Sequence, residues 1–513
     1  MSTPILSLVL AAGDDVSLAV TVSTVFRDSV DSRWELVLAG PREPPDLRAL
    51  TESAPAGRLR WASTGQEKST IDAPAIALQK ALEVSAGTYV GVLGSGDIVE
   101  PGVLAAMVEY LEGRPLVDVL YTDEQWPGTG AGGIFTKPGW NPEYLLGLSY
   151  LGRLCLVRRH LLVSCGGFRR GTAGVEEWDA HLRVTDAGAI VEHIPAVGVT
   201  RPAAPAVTAD STSAAVDIVQ AHFRRTGVEA DVEPADLPGS VRSWRTIGDN
   251  PLVSVIIPTI GGRREVRGED LRLVTNCVRA LVERTTYDSW ELVLVTGKDT
   301  PQAAIDEVAA LAGERLTVAP VTGDFNFSGS INEGARVARG ELLLLLNDDT
   351  EVIEPRWLER MVGVAQDPTI GAVGAKLLFE DSRIQHLGVV HNDIWQPAHA
   401  FEFEKDDGAH FGMGTLDLDY LAVTGACLLT GRDVFADVGG LTVDLPLNFN
   451  DVDYCFKLIR RGLRVVCTPF AVLHHYESST REARVEPFEM SHLHTQWRSI
   501  AYEDPFTNLR KIR

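Results

Sequence analysis

Apolar positions along this chain fall into short unbroken runs, and each run ends in a polar or glycine-rich turn. The clearest are LSLVLAAG from Leu6, WELVLAG from Trp34, VSVIIPT from Val253, WELVLVTG from Trp290 and ELLLLLNDDTEV from Glu341. A continuous apolar run of strand length suits a parallel strand covered on both faces. Helical stretches separate the runs, so the pattern predicts an α/β fold with mostly parallel, doubly wound sheets. Such sheets bind ligands beyond the carboxyl ends of their strands, which makes Asn347-Asp348-Asp349 a candidate site. Two adjacent carboxylates repel each other unless a cation or donor groups offset them. A surface turn capping the next helix, with Asp349 or Thr350 near the N-cap and Pro355 in its first turn, accounts for the same stretch about as well.

The pattern repeats after about 250 residues, too long a period for a solenoid and suited to duplicated domains. Gly87 to Gly96 and Gly340 to Asp349 are the same length, so the halves align without a gap at the fourth apolar run. Farther on, LCLVRRHLLVSCGGF around Leu154 parallels ACLLTGRDVFADVGGL around Ala426; Glu177 then follows in VEEWDAHLRV and Asp451 in FNDVDYCFKLI. Arg201 to Asn250 is rich in Ala, Pro, Ser and Thr, which reads as a linker with one small helix near Ala214 to Arg225. The expected organisation is a first domain over 1–205, a linker over 206–250 and a second domain over 251–513.

Length and composition narrow the class. A chain of 513 residues is too long for one ordinary core, and 45% hydrophobic with 23% charged residues is the balance of a soluble globular protein. A formal charge of −23 argues against nucleic-acid partners and against binding an anionic membrane by bulk electrostatics. The six cysteines, at 155, 165, 277, 427, 455 and 467, form no C-x-x-C pair, so neither a disulfide framework nor a zinc site is indicated and a cytoplasmic location is expected. No stretch approaches the roughly 18 apolar residues that cross a bilayer. Peripheral association with the inner face of the cell membrane, or with a membrane protein, stays compatible with this.

Three polar clusters are expected at one edge of the second sheet: Asn347-Asp348-Asp349, Asn450-Asp451-Val452-Asp453 and His474-His475-Tyr476-Glu477. Carboxylates plus imidazole are a workable set for Mg²⁺ or Mn²⁺, with substrate phosphates filling the remaining positions. Helix capping is the plain alternative for Asp451 or Asp453. A lone histidine is more often structural; His475 gains weight because it follows the apolar run LRVVCTPFAVL and so emerges at the same edge.

The words FNFSGSINEGARVARGELLLLLNDDTEVI, VGAKLLFEDSRIQHLGVV, TGACLLTGRDVFADVGGL and FNDVDYCFKLIRRGLRVVCTPFAVLHHYES, in that order, resemble the family 2 glycosyltransferases of GT-A fold. The similarity spans about Pro251 to Arg484. In the first half YTDEQ, FTKPGWNPEYLLGLSYLGRLCLVRR and VEEWDAHLRV look like tandem-domain, bacterial polysaccharide-type members. The resemblance implies two tandem GT-A domains and transfer of a sugar from a nucleotide-sugar donor, with inversion, to a glycan or lipid-linked glycan acceptor. It implies that Asp349 and His475 hold Mn²⁺ or Mg²⁺ and that Asp451 is the general base. Asn347, Asp348, Thr259, Asn332 and Gly334 fall on the donor side, Gly425 and Asn450 on the acceptor side. Two departures stand out. The turn after the second strand lacks the family's usual acid and reads Val295-Thr296-Gly297-Lys298-Asp299, so Asp299 is expected to substitute from a shifted loop. Asn450 replaces the commoner acid before the base.

The first half has no metal acids in register. Gly94-Ser95-Gly96 stands opposite Asn347-Asp348-Asp349, Asp97 falls one place late, and Glu177 stands opposite Asp451. A first domain that does not transfer sugar is expected. Two other functions compete for the whole chain: a non-catalytic glycan-binding scaffold derived from transferase domains, favoured by the missing nucleotide acid, and a nucleotidyltransferase, disfavoured because PTIGGRREVRGED is no glycine-rich phosphate loop and its Arg263 and Arg264 suit a solvated loop.

Overall fold

The computed structural model describes residues 4–12, 17–27, 33–65, 71–127, 133–391, 396–406, 410–476, 485–502 and 504–506. The chain divides between Ser243 and Trp244 into two compact units. Among the described residues each unit is built on one large mixed sheet.

In the first unit Leu59–Ser63, Trp34–Gly40, Leu6–Ala11 and Tyr89–Leu93 run side by side in parallel. Leu156–Arg158 follows, antiparallel to both neighbours; Val119–Gln125 and Val191–Thr200 are parallel to each other, and Ile98–Val99 closes the row antiparallel. The second unit repeats that order. Leu316–Pro320, Trp290–Thr296, Val253–Thr259 and Leu342–Leu346 are parallel, Cys427–Gly431 is antiparallel to both neighbours, Ile370–Leu378 and Arg464–His475 are parallel, and Thr350–Val352 ends the row antiparallel. The sheets are therefore mixed and rich in parallel pairs. The reversed strand matters for function: it runs away from the carboxyl edge, so the residues that precede it, Thr424 to Ala426, lie at that edge beside Asn347.

Side chains explain the words the two halves share. In Trp290-Glu291-Leu292 the glutamate is buried in the sheet, where its Oε1 accepts from Ser254 Oγ (2.6 Å) and from Arg339 N (2.7 Å), and Ser254 Oγ accepts from Gly340 N (2.8 Å). Glu35, Ser7, Ala86 and Gly87 build the same arrangement at 2.7 Å each. Only glycine fits at its centre: a Cβ on Gly340 would lie 2.5 Å from the Leu252 carbonyl oxygen, and one on Gly87 2.5 Å from Ser7 N. A buried carboxylate thus finds donors at the point where the helix hands the chain to the fourth strand.

Leu343 to Leu346 are at most 1% exposed. Each buried leucine contributes roughly 1.5–3 kcal/mol, and the core that Leu344 and Leu346 enter also holds Val255, Ile257, Leu292, Leu294, Trp357 and Leu429. The segment expected to be a linker holds more structure than Ala214 to Arg225. Its helix is Ala209–Thr226, started by a Thr208–Ser211 capping box and ended by Gly227 at φ 74°. It packs on the helix Glu176–Asp186, where His222 Nδ1 (2.6 Å) and Arg225 Nε (2.8 Å) hold Asp186, and the hairpin Ala230–Pro234 with Val241–Arg245 follows. The Arg263–Arg264 stretch, expected as an open loop, is the hairpin Arg263–Val266 with Glu269–Arg272, closed by an Arg263–Asp270 pair at 2.8 Å.

Candidate active site

The leucine strand delivers Asn347, Asp348 and Asp349 into a tight turn. Asn347 N donates to Ala426 O (3.0 Å), and Thr350 Oγ1 donates back to Asn347 O (3.0 Å). Capping of the next helix does not account for the acids, because that helix, Trp357–Ala365, begins after Arg356, and the strand Thr350–Val352 intervenes. That strand pairs Thr350 with His475, so the ladder itself brings the histidine back beside Asp349.

Asp348 Oδ2 accepts from Thr259 Oγ1 at 2.5 Å, and Thr259 Oγ1 accepts from Gly261 N at 2.9 Å. Burial, reinforced by the neighbouring Asp349, pushes Asp348 up to about 7. Burial acts on Asp349 in the same direction, but the pull of His475 outweighs it and holds that carboxyl below its ordinary value. Asp349 is 6% exposed, and its Oδ1 makes no hydrogen bond even though His475 Nε2 lies 3.1 Å away. Nδ1 of the same imidazole faces Gln385 Oε1 at 2.8 Å, and Asn347 Nδ2 lies 3.2 Å from Nε2.

Among the described residues no group of three His, Cys, Asp or Glu side chains is placed to hold a metal ion alone. Asp349 and His475 form a pair, and one or two protein ligands completed by phosphates and water is the usual arrangement for Mg²⁺. Their 3.1 Å separation matches the edge of about 3 Å between adjacent ligands in an octahedron with bonds of roughly 2.1 Å. A buried carboxylate oxygen without a hydrogen bond, beside an imidazole nitrogen, fits a shared divalent cation. Glu477, expected in the same cluster, lies outside the described residues.

Asp451 lies on the first turn of the helix Asn450–Arg460. Phe449 precedes it in the left-handed region at φ 58°, with no side-chain cap, so Asp451 is not the N-cap that a plain structural account requires. Its Oδ2 accepts from Gly425 N (2.8 Å) and its Oδ1 from Val452 N (2.8 Å). Asp453, one turn position away from the cleft, is 1% exposed and fully engaged by Thr442 Oγ1 (2.6 Å), Trp497 Nε1 (2.7 Å), His492 Nε2 (3.0 Å) and Lys457 Nζ (3.1 Å). Asp451 is the acid left facing the cleft.

Asn347, Asp348, Asp349, His475, Thr259, Gly425, Asn450 and Asp451 all line one cavity of about 390 Å³, together with Ile260, Phe325, Phe327 and Leu447. Gly425 leaves its floor open: a Cβ there would come 3.4 Å from Asp451 Cβ and 3.7 Å from Phe327 Cε1. The amide of Asn450 reaches the carbonyls of Leu445 and Leu447, both at 3.4 Å, so it braces the turn as well as lining the cleft.

Three expected donor residues are placed elsewhere. Asn332 spends both ends of its amide on Leu441, Nδ2 to its O (2.9 Å) and Oδ1 from its N (3.0 Å). Gly334 is a packing residue: a Cβ would lie 2.4 Å from Ile256 Cγ2, so the helix Phe327–Val337 can approach the sheet only with glycine there. Asp299 is exposed in a turn and does not line the cavity. Residues that the sequence did not single out are Gln385, on the strand Ile384–His386, and its neighbour His386, whose Nε2 accepts from Thr424 N (3.3 Å) and Gly388 N (3.2 Å). Both sit in the quoted word IQHLGVV, but only the ladder shows what they touch.

The first unit closes the corresponding place with its own cations. Ile98 pairs with Thr200 as Glu351 pairs with His474, so Arg201 occupies the register position of His475. Tyr89 pairs with Arg158 as Leu342 pairs with Gly431, which puts Arg153 where the second unit has Ala426. Arg153 forms ion pairs with Glu177 and, at 3.7 Å, Asp97; Arg201 and the fully buried Lys137 lie 3.5 and 3.3 Å from Glu124. A Cβ on Gly94 would lie 3.5 Å from the Arg153 guanidinium. Asp97 is committed to its own turn, accepting from Gly94 N at 2.6 Å. Burial pushes Glu177 up to about 7, with Arg153 and Arg201 opposing. Guanidinium groups thus stand in this unit at the register positions of Ala426 and His475.

Residues 251–495 match the model of the glycosyltransferase-like family 2. The chain is 32% identical over 506 residues to the O-antigen biosynthesis protein RfbC of Myxococcus xanthus, covering 94% of this chain and 38% of that protein. It is 30% identical over 535 residues to the protein y4gI of Sinorhizobium fredii, covering 98% of this chain and 57% of that one. The chain therefore spans about half the length, or less, of these relatives. Among solved structures, GalNAc-T7 with UDP, GalNAc and Mn²⁺ gives a TM-score of 0.39 at 16% identity over 49% of this chain and 50% of that chain. The mannosyltransferase PcManGT of Pyrobaculum calidifontis with GDP-Man and Mn²⁺ gives 0.34 at 17% identity over 53% and 76%. Such distant likeness adds nothing to the geometry above. The sequence match alone assigns the second unit: residues 251–495 belong to the glycosyltransferase-like family 2.

Proposed function

We propose that this chain is a glycosyltransferase whose second unit moves a sugar from a nucleotide-sugar to a glycan or lipid-linked glycan, with inversion and with Mn²⁺ or Mg²⁺, in synthesis of a cell-surface polysaccharide. The observation that carries the proposal is that Asp349, His475 and Asp451 line one cavity in a segment of matching family. The name of the Myxococcus relative supports the polysaccharide context. Both units are taken as GT-A domains in tandem, a view supported by their common strand order.

Asp349 Oδ1 and His475 Nε2 would hold the ion. When bound, it would supply positive charge to the departing diphosphate. Asp348, pinned by Thr259, is assigned to the nucleotide side. Asp451 takes the proton from the attacking acceptor hydroxyl, because a sugar hydroxyl is a poor nucleophile until that proton can leave. The N–H groups of Gly425 and Val452 fix the Asp451 carboxylate without placing a cation on it that would compete for the proton. Gly425, lacking a side chain, leaves the acceptor room beside that oxygen. Attack opposite the diphosphate inverts the anomeric centre.

The first unit is proposed not to transfer sugar, since Arg153 and Arg201 fill its site. Among the described residues no helix is long and apolar enough to cross a membrane; action at the cytoplasmic face, with any membrane recruitment through a partner, belongs to the proposal. The test is a panel of nucleotide-sugars with Mn²⁺ or Mg²⁺, read as donor hydrolysis and transfer by the full chain and its Asp349→Ala variant. Metal-dependent turnover lost in the variant is expected. No turnover with any donor, together with unchanged donor binding by the variant, would falsify the proposal and favour a non-catalytic glycan-binding scaffold.

A further inference from the structure

Behind His475 lies a side chain with one evident partner. Gln385 is 5% exposed and sits at the middle of the three-residue strand Ile384–His386, which pairs with the end of Ile370–Leu378. Its Oε1 is 2.8 Å from His475 Nδ1. On the other side of the ring, Nε2 faces Asn347 Nδ2 at 3.2 Å and Asp349 Oδ1 at 3.1 Å. A neutral imidazole carries one N–H and one lone pair, and the partner of one nitrogen decides which it is. With the Gln385 carbonyl against Nδ1, a proton stays on Nδ1, so an arriving cation displaces the Nε2 proton that Asp349 attracts and the freed Nε2 lone pair then points toward Asp349. Asp349 Oδ1, which makes no hydrogen bond, is the second donor atom turned to the same spot.

We propose that Gln385 is the positioning residue of the metal site, holding His475 as the Nδ1–H tautomer so that Nε2 and Asp349 Oδ1 can share one divalent cation. The inference rests on the metal-dependent function proposed above. The backbone supports the assignment. Adjacent residues of a strand point to opposite faces; Gln385 turns to His475, while His386 turns to the Thr424 backbone N–H beside Gly425, whose own N–H holds Asp451. A three-residue strand therefore braces both the metal side and the base side of the cavity. Asn and Gln amides flipped together would instead place the proton on Nε2, and the two arrangements differ in a measurable way.

The experiment uses the full chain and Mn²⁺ alone as the probe, in wild type, Gln385→Leu and Gln385→Glu. Mn²⁺ affinity is measured by calorimetry and by the relaxation of water protons, and thermal unfolding is followed to verify folding. Loss of the carbonyl acceptor in Q385L is expected to weaken Mn²⁺ by about 10–100-fold, the range for partners of metal-bound histidines. Q385E keeps an acceptor and is expected to stay within about threefold of wild type. In parallel, ¹⁵N shifts of His475 in the Mg²⁺-loaded wild type should report a protonated Nδ1 and an unprotonated Nε2. Wild-type affinity in Q385L, or a proton still on Nε2 in the Mg²⁺-loaded wild type, overturns the inference. Should Q385L fail to fold, Q385E and the wild-type tautomer still decide. A wild type that binds no Mn²⁺ refutes the metal-dependent function itself, a separate outcome.

Discussion

Asp451 and Asp453 lie two residues apart on one helix, yet their surroundings predict opposite consequences when each becomes asparagine. Asp453 is 1% exposed and is gripped by four donors, two of them from the C-terminal helix Pro487–Tyr502. Those donors hold its carboxyl below the ordinary range although burial pushes the other way. An amide offers one acceptor oxygen in place of two and turns two N–H donors toward groups that are themselves donors. His492, 26% exposed, can turn to water, and Lys457 keeps the Gly440 and Thr442 oxygens. The Trp497 indole N–H is buried and loses its acceptor, a penalty of about 1–3 kcal/mol. Lys457 also loses its counter-charge in a mostly buried setting, and breaking such pairs from one side costs about 3–5 kcal/mol in all. With two partners able to relax, Asp453→Asn should lose about 3 kcal/mol from the second unit, which corresponds to a drop in Tm on the order of 10 °C. Differential scanning calorimetry of the full chain should show one transition moved and the other not. The lowered pKa of Asp453 means its contribution is present above the unfolded value and disappears as pH falls through the folded one, so the variant should lose less stability than wild type on acidification. A loss under about 1 kcal/mol, or an enzyme that unfolds normally but is as inactive as Asp451→Asn, would refute the assignment of structural and catalytic roles.

Asp451→Asn should reduce kcat by about 10²–10⁴-fold, the range for a lost general base, while thermal stabilisation by donor and Mn²⁺ persists. His386→Phe removes the acceptor of the Thr424 and Gly388 N–H groups; it should destabilise the second unit by about 2–3 kcal/mol and lower kcat more than donor affinity, measured by urea unfolding and steady-state kinetics. In the first unit Glu177 has an ordinary value of 4.5 and is pushed up to about 7. The folded state therefore holds a proton that the unfolded state has lost, stability falls as pH rises through that window, and Glu177→Gln should flatten this part of the profile without altering donor turnover. Arg153→Ala should leave transfer intact while lowering the first calorimetric transition, since Glu177 and Asp97 lose their nearest cation.

Much of the second unit's candidate site was legible because its residues end apolar runs. Asp348 and Asp349 follow five leucines, and His475 follows a strand, so their meeting at one sheet edge needed only strand direction. Asp451 was harder. Its spacing from a helix start suited a cap, and only the bonds from Gly425 N and Val452 N, against the four-donor grip on Asp453, separated the two acids. Asn332 and Gly334 were misplaced for a related reason: amide and glycine positions serve helix packing and turns as readily as ligands, and sequence words do not show which way a side chain faces. Gln385 drew no attention for the same cause.

The sequence by itself determined the two-part α/β plan, the repeated Trp-Glu-Leu strands and the loss of acids from Gly94-Ser95-Gly96, because runs of buried apolar residues and glycines in tight register leave a local signature. What only the tertiary structure decided was which polar atoms meet. The antiparallel strand that carries Gly425 to the site edge, the Nε2–Oδ1 approach of His475 and Asp349, and the Arg153 and Arg201 guanidinium groups in the first unit all depend on ladders between residues far apart in the chain. Such pairings are fixed by the register of the whole sheet, and no local pattern carries them.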